Sequence, residues 1–148
     1  MMKVIISIII MLTVMPVSAT TGLVLFDPYN WGGPPTIQSI LGMSFFGLIS
    51  VPLWVTYIPS LILTPIIMSK LNRNSSFYDK SRWMFFCLSL GYGSLVGVFI
   101  LSPAILMALS ESFMLALNWT WAGVISGTIT FTTIAFLYRM NKPALKPV

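Results

Sequence analysis

The sequence predicts an all-α protein, a small helical transmembrane bundle. Three observations carry that expectation. First, 57% of the 148 residues are hydrophobic and 7% are charged, whereas a soluble domain carries about 25% charged residues. Second, the eight basic residues fall into three groups separated by long apolar runs: Lys3; Lys70, Arg73, Lys80 and Arg82; and Arg139, Lys142 and Lys146. Third, small residues recur every fourth position in the last two runs, at Ser89, Gly93 and Gly97, and again at Gly123 and Gly127. Such strips let two membrane helices approach closely.

The same composition excludes several kinds of chemistry. There is no histidine and there is a single cysteine, Cys87. An internal disulfide framework, a Cys/His zinc site, a His-based triad and His ligation of haem are therefore excluded within this chain. The net charge of +5 is not arranged as a basic stripe among polar surface residues, so nucleic acid is not an expected partner. It reads instead as positive-inside orientation in a bilayer.

The elements follow from the N-terminus. Residues 1–19 have a basic start at Lys3, an apolar stretch from Val4 to about Met15, Pro16, and small residues at Val17-Ser18-Ala19. This pattern predicts a signal peptide cleaved after Ala19, leaving three spans. The alternative is a first transmembrane helix over 4–20, giving four spans. Residues 20–38 are rich in Pro, Gly, Asn and Asp, carry Tyr29 and Trp31, and hold no basic residue. They read as an outer, extracytoplasmic loop.

Residues 39–69 contain no charge and include Pro52, Pro59 and Pro65. They predict one long span kinked at its prolines. A re-entrant hairpin bending at Val51-Pro52 or Ile58-Pro59 is the alternative. The four basic residues of 70–82 mark a cytoplasmic loop. A span over 83–109 follows, opening on Trp83. Residues 110–112 form a tight outer turn, with Ser110 as a helix cap and Glu111 near a positive helix end. The last span covers 113–138, and the basic tail 139–148 returns to the cytoplasm.

Candidate site residues are few. The helix-packing set is Ser89, Gly93, Gly97, Gly123 and Gly127. The possible polar contacts are Asn118, Thr128 and Thr132, on a last span rich in hydroxyls. No ionisable residue lies in the middle of a span, which weighs against coupled transport. Asp27, Asp79 and Glu111 do not form a close group, so neither catalysis nor a bound cofactor or metal is expected. Cys87, if buried near the inner end of its span, would be an unreactive thiol. The glycosylation-type triplets at Asn74 and Asn118 read as chance matches.

These features predict a non-enzymatic protein that acts through helix packing and its outer segment. An accessory subunit of a membrane complex and an immunity or exclusion protein of a bacterial inner membrane both fit. The expected partners are the lipid bilayer and other membrane subunits, or further copies of the chain. The alternative is an oligomeric, holin-like pore or a small transporter subunit, with Thr128 and Thr132 facing a water-filled path.

Overall fold

The computed structural model describes residues 2–26, 36–49, 51–73 and 82–140. The tip of the expected outer loop with Asp27, Tyr29 and Trp31, the basic connection with Asn74 and Asp79, and the tail beyond Met140 lie outside them. The described residues form α1 (Met2–Phe26), α2 (Ile37–Ile49), α3 (Val51–Arg73), α4 (Arg82–Glu111) and α5 (Phe113–Met140). No strand occurs among them, and the protein is an all-α bundle. Among the described residues, three stretches are long and apolar enough to cross a membrane: Met2–Leu25, Trp83–Glu111 and Phe113–Arg139. With 23 residues, α3 is about 35 Å long at ~1.5 Å per residue.

Helix α5 is central. It packs along α4 and α1 and touches α3, while α2 lies against α1. Each packing face is a row of every-fourth residues, which lie above one another on a helix. On α1 the row is Ser7, Met11, Met15, Ala19 and Leu23, and on α4 it is Phe85, Ser89, Gly93, Gly97 and Leu101; all are buried. Met11, Met15, Met68, Ile100 and Ile134 are among the most completely enclosed side chains.

Helix α1 runs without interruption through the Ala19–Thr20 bond to Phe26. Residues 20–26 are therefore helix rather than the start of a loop. Ala19, Thr20, Gly22, Leu23 and Val24 are all buried. The backbone of Ala122 in α5 approaches so closely that a Cβ on Gly22 would lie 3.3 Å from its Cα.

Within the apolar run 39–69 the described residues are helical to Ile49 in α2 and from Val51 in α3, and Ser50 between them lies outside the described residues. Pro52 is placed where a helix tolerates it. It falls in the first turn of α3, where a missing N–H costs nothing. Pro59 and Pro65 remain inside α3. The start of α2 is capped by a reciprocal pair: Ser39 N donates to Thr36 Oγ1 at 3.1 Å and Thr36 N donates to Ser39 Oγ at 3.0 Å. This is a capping box with serine in place of Glu or Gln.

Hydroxyl groups fasten the remaining helices. Thr56 Oγ1 donates to the Ile100 carbonyl of α4 at 2.7 Å, and the Tyr57 hydroxyl donates to the Met11 carbonyl of α1. Trp54 packs edge-on against Tyr57 at 5.6 Å. Ser44 of α2 donates to Thr20 of α1 at 3.2 Å. Pro103 leaves the Phe99 carbonyl without its usual N–H partner, and Ser102 Oγ supplies one at 2.8 Å. Freed backbone groups in a membrane helix need such replacements.

The turn between α4 and α5 is tighter than expected. Ser112 alone separates α4 from α5. Ser110 is not the cap of α5: it belongs to α4 and donates back to the Met107 carbonyl at 2.6 Å. Ser112 takes the capping position, its carbonyl accepting from Ala116 N at 3.1 Å.

Candidate functional site

The α4–α5 crossing gathers most of the candidate residues. A Cβ on Gly93 would lie 2.7 Å from the Gly127 carbonyl oxygen and 2.8 Å from the Thr128 Cα. One on Gly97 would overlap the Gly123 carbonyl oxygen and lie 2.7 Å from the Gly127 Cα. In return, a Cβ on Gly127 would meet Gly93 and Gly97 backbone, and one on Gly123 would lie 3.1 Å from the Gly97 oxygen. All four glycines thus interlock within one chain, with backbone against backbone. Only glycine permits that approach.

Ser89 is fully buried in the same row and donates to the Phe85 carbonyl at 2.8 Å. Its small size, rather than a cross-helix bond, is what it contributes there. One turn from Gly97, Ser94 and Thr128 share a hydrogen bond of 3.0 Å between α4 and α5. An interhelical bond of this kind contributes about 0.6 kcal/mol in membrane bundles.

Of the other polar candidates, Thr132 lies deep on α5 with its Oγ1 buried and without a hydrogen-bond partner. Thr130, which the sequence did not single out, shares that state at 3% exposure. Asn118 is half-buried in the second turn of α5, beside half-buried Trp119 and partly exposed Trp121. It is not brought to the Gly crossing. Gly22 is the residue that sequence reading missed. Its contact with Ala122 makes α1–α5 a second close approach.

Beneath the crossing, a cavity of about 10 Å³ lies where α1, α3, α4 and α5 meet, lined by Met11, Met15, Thr64, Thr130 and Ile134 among others. A space of that size holds one water at most. It is too small for a substrate. Cys87 is exposed on the side of α4, not buried. Among the described residues no three His, Cys, Asp or Glu side chains cluster.

The unpartnered Thr130 hydroxyl gives a clean prediction. Thr130→Val removes a buried donor while keeping the shape, so it should leave stability unchanged or raise it by up to ~1 kcal/mol. Thr128→Val breaks the bond to Ser94 and should lower stability by ~0.6 kcal/mol. Unfolding midpoints in detergent micelles compare the two. A larger loss from Thr130→Val would show that a water bonds this hydroxyl.

No protein family, no curated protein and no solved structure matches this chain. The functional reading therefore rests on the bundle's own geometry.

Proposed function

We propose that the chain is a small, non-enzymatic integral membrane protein that acts through helix packing and its outer segment, as an accessory subunit of a membrane complex or an immunity or exclusion protein. The observation that carries this reading is the inward-turned face of α5. Its glycines are spent against α4 of the same chain, and Thr128 bonds Ser94 rather than facing a water path. A pore assembled through the glycine strip would need that face free.

The reading places α1, α3, α4 and α5 across the membrane, with both chain termini on the cytoplasmic side of a bacterial inner membrane. The Lys/Arg distribution supports this orientation, since every basic residue falls at Lys3, in the stretch 70–82 or in the stretch 139–146 of the sequence. The loop after α1 and helix α2 are then the parts offered to a partner on the outer side. The absence of histidine, and the three acids' positions in three different segments, support a non-enzymatic role.

Ion flux tests the reading. Purified protein reconstituted in liposomes should conduct no more than empty liposomes do. Robust flux that persists at low protein-to-lipid ratio would overturn the accessory reading in favour of an oligomeric pore.

A further inference from the structure

The leader-like pattern of residues 1–19 ends inside a helix. Hydrolysis after Ala19 needs the bond in an extended strand, because a peptidase holds its substrate by the main-chain N–H and C=O groups on either side. Here those groups are taken. Helix α1 continues through Ala19 and Thr20 to Phe26, so they bond one another along the helix. Side-chain hydroxyls add to this. Ser18 Oγ donates to the Val14 carbonyl at 2.7 Å, Thr20 Oγ1 to that of Pro16 at 2.9 Å, and Thr21 Oγ1 to that of Val17 at 2.7 Å.

Two other helices cover the bond. Ala19 is 8% and Thr20 7% exposed. Helix α5 presses on α1 at Gly22, where a Cβ would lie 3.3 Å from the Ala122 Cα and 3.8 Å from the Ile125 Cδ1. Ala122 is itself fully buried. Ser44 of α2 donates to Thr20 Oγ1 at 3.2 Å. Val17, by contrast, is 37% exposed. Of the two short side chains that a leader-type peptidase reads, the one next to the bond is the one withheld.

Thr20 lies seventeen residues from Lys3 along α1, roughly 26 Å at ~1.5 Å per residue. In the membrane reading above, this puts the bond near the outer boundary of the ~30 Å apolar layer, where water for hydrolysis is at hand. Packing, rather than depth, is what protects it.

We propose that the Ala19–Thr20 bond is a latent cleavage site for a leader-type membrane peptidase, masked by the seating of α1 on α5. Cleavage consumes one water and leaves a carboxylate on Ala19 and an amine on Thr20. A chain whose α5 fails to seat exposes the bond and loses residues 1–19, and with them Met11 and Met15 from the core. The cut makes failed assembly irreversible. The site rests on the membrane reading and adds a modification site to it.

The test uses the full chain in neutral detergent micelles with a purified bacterial leader peptidase, and the cut species is counted by intact mass. The native chain should be cut slowly. Ala122→Leu drives bulk against Gly22 and should raise the rate about tenfold or more, because cleavage follows the population of the opened bond. Ile125→Ala inserts no bulk and should raise it about threefold; it decides alone if Ala122→Leu does not assemble. Thr128→Val, which loosens α4 instead, should leave the rate unchanged. Adding Ala19→Leu to Ala122→Leu should stop the cut, since a large side chain next to the bond is not read. A native chain cut as fast as Ile125→Ala, or an equal rise in Thr128→Val, overturns the masking. Cutting that persists with Ala19→Leu lies elsewhere and overturns the site. A chain that stays dissolved without detergent would instead sink the membrane reading itself.

Discussion

Gly97→Leu should destabilise the bundle by ~3 kcal/mol or more, while Gly91→Leu on the same helix should change stability by no more than ~0.5 kcal/mol. The contrast follows from what each side chain would meet. At Gly97 a Cβ overlaps the Gly123 carbonyl oxygen, whereas at Gly91 it meets nothing within 4 Å. Obstruction by backbone cannot be relieved by a rotamer change, so α4 and α5 must separate. Separation would also break the Ser94–Thr128 bond and open the row through Gly93 and Gly127. Alanine should reverse the sign between the two sites. Gly91→Ala should stabilise by ~0.5–1 kcal/mol through helix propensity, and Gly97→Ala should destabilise. Unfolding of the four variants in micelles decides the matter. Equal effects at positions 91 and 97 would mean that the helices do not cross at the glycines.

The second large effect concerns α1. A chain that begins at Thr20, directed to the membrane by an unrelated cleavable leader, should accumulate several-fold less than one that keeps residues 2–19. Losing those residues removes Met11 and Met15 from the core and uncovers the face of α5 on which α1 lies. It also takes away the Met11 carbonyl that accepts the Tyr57 hydroxyl. A polar group left without a partner in hydrocarbon costs several kcal/mol. Ser44 keeps its Thr20 partner in such a chain, so α2 has its anchor and the effect isolates the upstream part of α1. Normal accumulation of the shortened chain would show that the core closes without that part of α1.

Different features of the sequence were legible to different degrees. The all-α class followed from scarce charge together with apolar runs long enough to cross a bilayer as helices. The glycine strips on α4 and α5 were visible because glycine at four-residue spacing stands out among Leu, Ile and Phe. What could not be read was whether they met within a chain or between chains. That depends on the single-residue turn at Ser112, which holds the two helices antiparallel and adjacent.

The packing row of α1 was hidden for the opposite reason. Ser7, Met11, Met15, Ala19 and Leu23 lie in a segment that is apolar on every side, so no face stands out. A basic start, an apolar middle and small residues near Ala19 also describe a leader, and the two readings share one composition. The three prolines of 39–69 carried equal apparent weight in the sequence. Pro52 falls in the first turn of α3, whereas Pro59 and Pro65 are carried inside it, where Ser60 Oγ donates to the Thr56 carbonyl one turn back at 2.8 Å. The lone hydroxyl of Thr130 could not have been foreseen, since most membrane threonines bond their own helix, as Thr20, Thr120 and Thr133 do here.

Helix α1, packed on α5 and bonded by α3, should stay in the assembled bundle. The intact mass of the protein extracted from membranes should therefore correspond to a species that still contains residues 2–19; a species that begins at Thr20 would mean that α1 is removed and the bundle closes without it.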